Sequence, residues 1–270
     1  SGMSMQVNKR KVLVTGGGTF LGDHIATALI VEGAEVTLLV RPGAEDRVGP
    51  LQQRARIVTA DVWDAASLRG RARGHACVIN TVGSMTADPA QGLTYHRLNF
   101  VSARNVTNMV ISDGVPHTIL LSSARAPWMN RQYIAAKREA EEYVQRVGVS
   151  TTVIRAPLVY QRGTRRPLFF ELMTLFGTTP PLRWTPLNIA APMPIDVLAR
   201  AVARIALNAK TAKSVYFASD LRRLNTREEL ARGTPLALKP LNKDDTQPRR
   251  KNITLTDDDT PFGWLPDNRK

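Results

Sequence analysis

A glycine-rich segment, Thr15–Gly22, has the residue types and the spacing that suit the binding of a diphosphate. The segment reads TGGGTFLG, follows an apolar run and opens a helical pattern. Because glycine lacks a Cβ, such a backbone can turn sharply and approach a phosphate, while the helix offers unpaired N–H groups and the positive end of its dipole. We therefore predict a dinucleotide-binding loop, in which Gly22 lets helix and strand pack closely. A purely structural turn is the alternative.

The residues at the end of the second apolar run indicate whether the adenosine ribose of the cofactor carries a 2′-hydroxyl or a 2′-phosphate. An NAD site usually has Asp or Glu there, about 20 residues beyond the glycines, to accept the 2′-hydroxyl. In this sequence the run is followed by Arg41 and Pro42, with no carboxylate at its tip. A guanidinium can pair with a 2′-phosphate, and Arg47 could assist it. The pattern favours NADP(H) over NAD(H); an Arg41 that merely points to solvent is the alternative.

The elements that must position these residues alternate along the first 160 positions. Strands are expected at 11–15, 35–40, 56–61, 77–82, 118–123 and 151–156, and helices at 21–32, 65–73, 95–112 and 131–147. This alternation implies right-handed βαβ units and a parallel sheet, and the nearly continuous apolar strands are typical of a sheet covered on both faces. The predicted fold class is α/β, a doubly wound parallel sheet (Rossmann) with a small C-terminal substrate lobe.

The chain divides into three predicted regions. Residues 9–160 form the dinucleotide-binding domain, whose sheet also receives later strands; residues 161–232 form the C-terminal lobe; residues 233–270 form a peripheral or partly disordered tail. Within the lobe we expect an amphipathic helix at 195–208 and a strand at 215–219. Thr226 is expected to cap a short helix that runs to Arg232.

Composition excludes several classes of protein. Hydrophobic residues make up 43% of the chain and charged residues 22%, which excludes a disordered chain, and no apolar run reaches the roughly 18–20 residues that span a bilayer. The single cysteine and the scattered histidines exclude a disulfide framework and predict no metal site. The net charge of +14 comes mostly from scattered arginines without a recognition helix or zinc finger. We expect a solvated surface, one or two arginines that face an anion, and no specific nucleic-acid partner.

Further motifs, in order along the chain, resemble the short-chain dehydrogenase/reductase superfamily in its extended or atypical branch. The resemblance covers Lys11 to Asn208, with weaker similarity to about Arg232. A Tyr-x-x-x-Lys motif alone is weak, but its placement one strand and loop after a double serine is informative. The motifs are Asp61-Val62, INTVG at 79–83, Asn99, LLSSA at 120–124, YIAAK at 133–137, VIRAPLVY at 153–160 and MPIDVLARAV at 193–202.

The resemblance implies how a cofactor would be held. Asp61 would accept from the adenine amino group, and the backbone of Val62 would contact a ring nitrogen. The end of the fourth strand would lie along the cofactor. The full set of cofactor-binding residues expected on this basis is Gly16, Gly18, Thr19, Phe20, Leu21, Gly22, Arg41, Asp61, Val62, Thr81, Val82, Gly83, Tyr133, Lys137, Ala156, Pro157 and Leu158.

The resemblance also implies a catalytic set of Ser123, Tyr133, Lys137 and Asn99. Ser123 would hold a carbonyl or hydroxyl oxygen while Tyr133 passes or takes a proton. Lys137, four residues on and therefore on the same helical face, would bond the nicotinamide ribose and lower the pKa of the phenol. Ser123 is preferred over its neighbour Ser122 because Ala124 follows it as in the family, and strand alternation places the two serines on opposite faces.

Three departures from the family pattern bear on these expectations. Thr19 stands where the extended branch has its middle glycine, so the loop could hold a pyrophosphate differently. Ser123 and Tyr133 are only ten residues apart, and so short a loop could separate them. Ala156-Pro157 replaces the usual Pro-Gly after the sixth strand.

Two functions remain open on the sequence. The first is an NADP(H)-binding oxidoreductase or epimerase-like enzyme that acts on an unknown carbonyl or hydroxyl substrate through Ser123, Tyr133 and Lys137. The second follows from a similarity to two mitochondrial relatives, the dehydrogenase-like accessory subunit of respiratory complex I and a protein tied to coenzyme Q biosynthesis. It is an NADPH-binding structural or assembly subunit with little turnover. The expected location is intracellular, in the mitochondrial matrix, with the cytoplasm as the alternative.

Overall fold

The computed structural model describes residues 9–163 and 191–233, together with residues 236 and 238. The strands of this part of the chain are β1 (Lys11–Gly17), β2 (Glu35–Val40), β3 (Arg56–Thr59), β4 (Cys77–Asn80), β5 (His117–Ser123), β6 (Ser150–Ala156), β7 (Val159–Tyr160), β8 (Met193–Pro194) and β9 (Val215–Tyr216). Seven of them form one parallel sheet in the order β3-β2-β1-β4-β5-β6-β9, and β7 pairs with β8 apart from it. This is the predicted doubly wound fold, with its strand order reversing between β1 and β4.

Helices cover both faces of the sheet. They are α1 (Phe20–Val31), α2 (Ala65–Leu68), α3 (Ser102–Ser112), α4 (Arg131–Arg146), α5 (Ile195–Leu207), α6 (Ala218–Arg223) and α7 (Arg227–Arg232). Alternation along β1 sends Val12 and Val14 toward α1 and α5 on one face, and Leu13 toward α2 and α3 on the other. Helix α4 packs on the second face, against Leu120 of β5 and Val153 of β6. The strands are therefore buried on both sides, as their continuous apolar character predicts.

The carboxyl ends of the parallel strands meet at one edge of the sheet, where ligands bind in this architecture. The glycine-rich segment leaves the end of β1 at this edge and enters α1 directly. The other strands bring their terminal residues to the same edge. These residues are Arg41 after β2, Asp61 after β3, Thr81 after β4, Ser123 at the end of β5 and Ala156 at the end of β6.

The strands expected at 56–61 and 77–82 each end two residues early. Two other predicted elements are shortened further, because distant or local side chains take backbone N–H groups. The helix expected at 65–73 ends at Leu68, since the carboxylate of Asp113 accepts from the N–H groups of Gly70 and Ala72 at 3.0 and 2.8 Å. The strand expected at 215–219 stops after two residues. Asp220 accepts from the N–H of Phe217 at 3.0 Å and starts helix α6 instead.

The helix expected at 95–112 begins with a π-helical turn, His96–Val101, which sequence periodicity does not reveal. The side-chain amide of Asn99 donates to the carbonyls of Tyr95 and Ser84, at 3.0 and 2.9 Å. It also accepts from the N–H of Ser84 at 2.9 Å. Turns of this kind recur at functional sites, and this one fixes Asn99 against the segment that follows β4.

The described residues beyond position 190 return to the main layers. Helix α5 packs against α1 in the larger core, and β9 extends the sheet beside β6. The helix expected from Thr226 is present as α7, with Thr226 and Glu229 forming a reciprocal cap. The domain boundaries stay a prediction, because residues 164–190 and most of the expected tail lie outside the described residues. Where the chain is described, its helices are too short or too polar to cross a bilayer.

The substitution Gly22→Ala tests the close packing of β1 on α1. Alanine is the better helix former, yet its Cβ would lie 2.1 Å from the Gly16 carbonyl oxygen. We expect the free energy of unfolding in urea to fall by about 2–3 kcal/mol, because backbone must move. The matched control is Gly33→Ala, where nothing lies within 4 Å and only the positive φ of 92° opposes the change. A smaller loss at Gly22 than at Gly33 would contradict this packing.

Candidate active site

The glycine loop closes on itself through Thr19. Gly16 and Gly18 have positive φ angles of 78° and 81°, which favour glycine. The Thr19 hydroxyl donates to the Gly16 carbonyl at 2.6 Å and accepts from the N–H of Gly22 at 3.2 Å, so that it caps α1. Where the family pattern has a glycine, a threonine therefore stabilises the loop from within.

The first turn of α1 keeps donors for an anion. The N–H groups of Phe20 and Leu21 belong to the orphan donors of the first turn and have no acceptor within the helix. Sequence reasoning missed Asp23, whose carboxylate accepts from the N–H of Gly18 at 2.8 Å. The loop thus uses the amides of Gly18, Thr19 and Gly22 for its own structure, whereas those of Phe20 and Leu21 have no acceptor within the helix.

The ends of β1 and β4 are joined by a small polar network that sequence reasoning also missed. The Thr15 hydroxyl donates to Asn80 Oδ1 at 2.9 Å and accepts from the N–H of Thr81 at 3.0 Å. The Thr81 hydroxyl donates to the Thr15 carbonyl at 2.7 Å. A Cβ on Gly16 would come within 2.3 Å of that hydroxyl oxygen. Among the residues that the structure describes, the buried Asn80 Nδ2 has no hydrogen-bond partner, and such an atom can be satisfied by a bound polar ligand.

Arg41 and Arg47 lie near the place where the end of β2 and the glycine loop meet, and their contact with a 2′-phosphate stays a prediction. Arg41 is half-buried directly after β2, and exposed Arg47 lies over the loop, where a Cβ on Gly18 would be 3.1 Å from the Arg47 Cβ. Glu45, which the sequence did not single out, accepts from Thr59 at 3.3 Å. An acid and two guanidiniums therefore share this end of the site.

The residues predicted to hold adenine lie after β3, away from the reactive groups. Asp61 Oδ1 accepts from the N–H of Trp63 at 2.9 Å, which closes a local turn. Val62 is fully buried, and its carbonyl accepts from Asn105 at 3.0 Å. Their contact with adenine stays a prediction.

Ser123 and Tyr133 are brought together despite the short loop between them. Asn130 caps α4 by accepting from the N–H groups of Gln132 and Tyr133, which places the tyrosine in the first turn. The Ser123 and Tyr133 side chains line the same pocket, close enough for Ser123 to lower the pKa of the phenol, while the Ser123 hydroxyl donates to the Ala124 carbonyl at 3.0 Å. The Ser123 hydroxyl also contacts the Met129 sulfur at 3.7 Å. The ten-residue spacing therefore does not displace the serine.

Lys137 reaches the same place from the next turn of α4. Its Nζ lies 5.9 Å from the centre of the Tyr133 ring and donates to the Leu121 carbonyl at 3.3 Å. A Cβ on Gly83 would lie 2.6 Å from both Lys137 Nζ and Asn99 Oδ1. The bare glycine is thus what lets the predicted lysine and asparagine approach the end of β4.

Burial controls the protonation of both groups. It raises the pKa of Tyr133 to about 12, against the opposing effects of the Ser123 hydrogen bond and the Arg138 charge. It lowers the pKa of Lys137 to about 8, while the Glu141 charge raises it and the Arg138 charge lowers it. The expectation that Lys137 brings the pKa of the phenol toward neutrality is wrong for this structure, because desolvation of the phenolate outweighs the effects of Ser123 and Arg138 that lower this pKa. At neutral pH Tyr133 holds its proton.

One pocket collects most of the predicted nicotinamide-side residues. Sequence reasoning missed five of the lining residues, namely Met85, Leu121, Ser122, Val159 and Leu198. Leu121 could have been predicted, because it lies two residues before Ser123 and therefore on the same face of the strand. No local signal points to Leu198 of α5. The mainly apolar wall consists of Phe20, Leu21, Thr81, Met85, Leu121, Ser122, Ser123, Tyr133, Lys137, Ala156, Pro157, Leu158, Val159 and Leu198. Among the described residues, no three His, Cys, Asp or Glu side chains come together as a metal site.

Sequence comparison agrees with this geometry. The profile of a family described as NAD(P)H-binding matches residues 16–174, more than half of the chain. A ceramide reductase from Caulobacter vibrioides is 31% identical over 179 residues, which cover 64% of this chain and 54% of that protein. Cinnamoyl-CoA reductase 1 from Oryza sativa subsp. japonica is 30% identical over 128 residues, 45% of this chain and 37% of that protein. The chain thus spans about half or less of these relatives.

Comparison of folds gives the same architecture. DesIV, a dTDP-glucose 4,6-dehydratase from Streptomyces venezuelae solved with NAD bound, superposes with a TM-score of 0.56 at 20% sequence identity, over 76% of this chain and 74% of that one. At this identity the likeness shows the fold alone. The predicted Rossmann fold and its resemblance to extended short-chain dehydrogenases are confirmed, whereas the accessory-subunit resemblance stays a prediction.

Replacing the buried lysine tests the cost of its charge. We expect Lys137→Met to raise the free energy of unfolding near pH 7 by about 2 kcal/mol, because burial of the ammonium is no longer needed. The folded-state pKa of about 8 lies below the ordinary 10.5, so the penalty is present below pH 8 and disappears as pH rises toward 10.5. The gain should shrink over that range in urea unfolding. Lys11→Met, at an exposed position, is the control that should change little.

Proposed function

Because the chain belongs to the NAD(P)H-binding family, we propose that it is an NADP(H)-dependent oxidoreductase that reduces the carbonyl group of an apolar substrate. The observation that carries this proposal is the convergence of Ser123, Tyr133 and Lys137 in one pocket beside the first turn of α1. The family alone would fit many nucleotide-binding functions. A hydroxyl, a phenol and an amine at the mouth of the same cleft favour proton transfer to a carbonyl.

The residues present fit a dinucleotide. The backbone at Gly16 and Gly22 leaves a cradle that a Cβ would fill, and the N–H groups of Phe20 and Leu21 suit a pyrophosphate. The orphaned Asn80 amide lies at the same edge of the sheet. On this proposal Thr81, Val82 and Gly83 line the cofactor, and Ala156, Pro157 and Leu158 pack against its nicotinamide end. A bound NADPH would supply the hydride.

The protein side of the reaction follows from the two protonation states. A carbonyl oxygen accepts a hydrogen bond from Ser123, and the protonated phenol of Tyr133 donates its proton to that oxygen as the alcohol forms. The ammonium of Lys137 then stabilises the phenolate that is left behind. Asn99 holds the adjoining segment at Ser84, next to the Gly83 backbone that the amine approaches. For the reductive direction, the phenol begins in the protonated form that a proton donor needs.

The wall of the pocket supports an apolar substrate. Met85, Leu121, Val159 and Leu198 present hydrocarbon or thioether groups, and Lys137 is the one charged side chain among the lining residues of the described part of the chain. A nucleotide sugar would need charged or multiply hydrogen-bonding partners, and among the described lining residues Lys137 is the only charged one. The two curated relatives are named as reductases, which agrees with this choice over epimerisation.

Substituting the phenol tests the proposed chemistry. We expect Tyr133→Phe to lower the rate of NADPH oxidation with long-chain and aromatic ketones and aldehydes by at least about 100-fold, because the proton donor is lost. NADPH affinity, measured by titration calorimetry, should stay within about threefold, since the ring remains. Tyr143→Phe is the matched control on α4, because its hydroxyl donates to Asn108 at the surface. Wild-type protein that binds NADPH yet reduces no carbonyl compound would favour the structural-subunit alternative instead.

The cofactor preference is tested at the end of β2. Arg41→Ala should weaken NADPH binding roughly tenfold or more and leave NADH binding unchanged, because only NADPH carries the 2′-phosphate. Arg47→Ala should act in the same direction. Arg227→Ala, at an exposed position on α7, controls for the change in net charge. Equal losses for both cofactors, or none, would refute the assignment of Arg41.

A further inference from the structure

Glu141 is a buried carboxylate whose two oxygens are both engaged. The Ser122 hydroxyl donates to Oε1 at 2.5 Å, and Arg138 also pairs with that oxygen. Arg155 of β6 donates to Oε2 at 2.7 Å. Only 4% of the Glu141 side chain is exposed, so the two guanidiniums and the hydroxyl replace its hydration.

The pairing extends to the backbone of the reactive serine. Arg138 Nη2 donates to the Ser123 carbonyl at 2.9 Å, and its Nη1 reaches the Ser122 hydroxyl at 3.4 Å. The next residue, Ala124, donates its N–H to the Ala156 carbonyl at 2.9 Å. Glu141 therefore fixes the Arg138 guanidinium, and this guanidinium in turn binds the end of β5 at Ser123.

Glu141 also faces Lys137 from the next turn of the same helix. Tyr133, Lys137 and Glu141 follow one another at intervals of four residues and share one buried face of α4. The remaining groups around Lys137 are the Leu121 carbonyl of β5 and, across Gly83, the uncharged amide of Asn99. The cation of Arg138 opposes the charge of Lys137, and the carboxylate of Glu141 supports it.

We propose that Glu141 is a positioning residue for the reaction: its carboxylate keeps the buried Lys137 charged and, through Arg138, fixes Ser123 beside Tyr133. This inference rests on the proposed reductase function. It assigns a role to a residue that touches neither substrate nor cofactor. The competing view is an ion pair that merely ties α4 to β5 and β6.

The two views differ in what opposite changes of charge would do. Loss of the Glu141 carboxylate removes the support for the ammonium, so the pKa of Lys137 should fall further. Loss of the Arg155 cation leaves Glu141 less neutralised, so the same pKa should rise. If the Glu141–Arg155 ion pair only ties α4 to the sheet, either substitution would weaken it and loosen the helix. The pKa of Lys137 would then move in the same direction in both variants.

The experiment compares Glu141→Gln, Arg155→Gln and the wild-type protein, with Glu139→Gln as the matched control. Glu139 is exposed on the same helix and pairs with His96, so that its change removes an equal charge from the solvent side. The lysine side chains are labelled with ¹³C at Cε and titrated by NMR, and Lys137→Arg assigns the signal. The pH dependence of NADPH-driven carbonyl reduction is measured on the same variants.

We expect the pKa of Lys137 to fall by about 1 unit in Glu141→Gln, to rise in Arg155→Gln and to stay constant in Glu139→Gln. The alkaline limb of kcat should move with it. Unchanged or parallel shifts in the two variants would overturn the proposal. The NMR titration needs no turnover, so protein that lacks reductase activity would refute the proposed function while the titration still judges Glu141. If Glu141→Gln does not fold, a rise in Arg155→Gln supports the proposal and a fall overturns it.

Discussion

Burial of the Lys137 ammonium is the constraint on which the rest of the site depends. A charge taken out of water costs free energy, and here it lowers the pKa of the lysine to about 8. The Leu121 carbonyl and the Glu141 carboxylate offset part of this cost. The space for the amine exists because Gly83 has no side chain. The same burial keeps the neighbouring phenol protonated, so one environment sets the protonation of both groups.

The architecture could be predicted because its signals are local. Apolar runs of strand length alternate with helical patterns, and the glycine loop marks the first crossover; both follow from residues that are neighbours in sequence. Prediction failed where a distant group intervened. The helix expected at 65–73 gives way to turns because Asp113, more than 40 residues later, takes the N–H groups of Gly70 and Ala72.

The site was predictable in its membership more than in its chemistry. Ser123 stands at the end of β5, and Tyr133 and Lys137 stand on the first two turns of α4. The order of these elements in the fold fixes where the three residues meet. The pKa of the phenol depends instead on how completely packing removes water, which spacing does not encode. The position of Glu141, four residues after Lys137, was a usable signal, yet its value depends on Arg155 from another strand.

The π-helical turn at His96–Val101 has a consequence for how this helix can vary. Such a turn accommodates one residue more than regular α-helical winding would. Each residue of an α-helix turns the chain by about 100°, so a single deletion here would swing Asn99 away from the Ser84 peptide group that it grips. The position of Asn99 at the cleft therefore requires the number of residues in this stretch to be kept, as well as the asparagine itself.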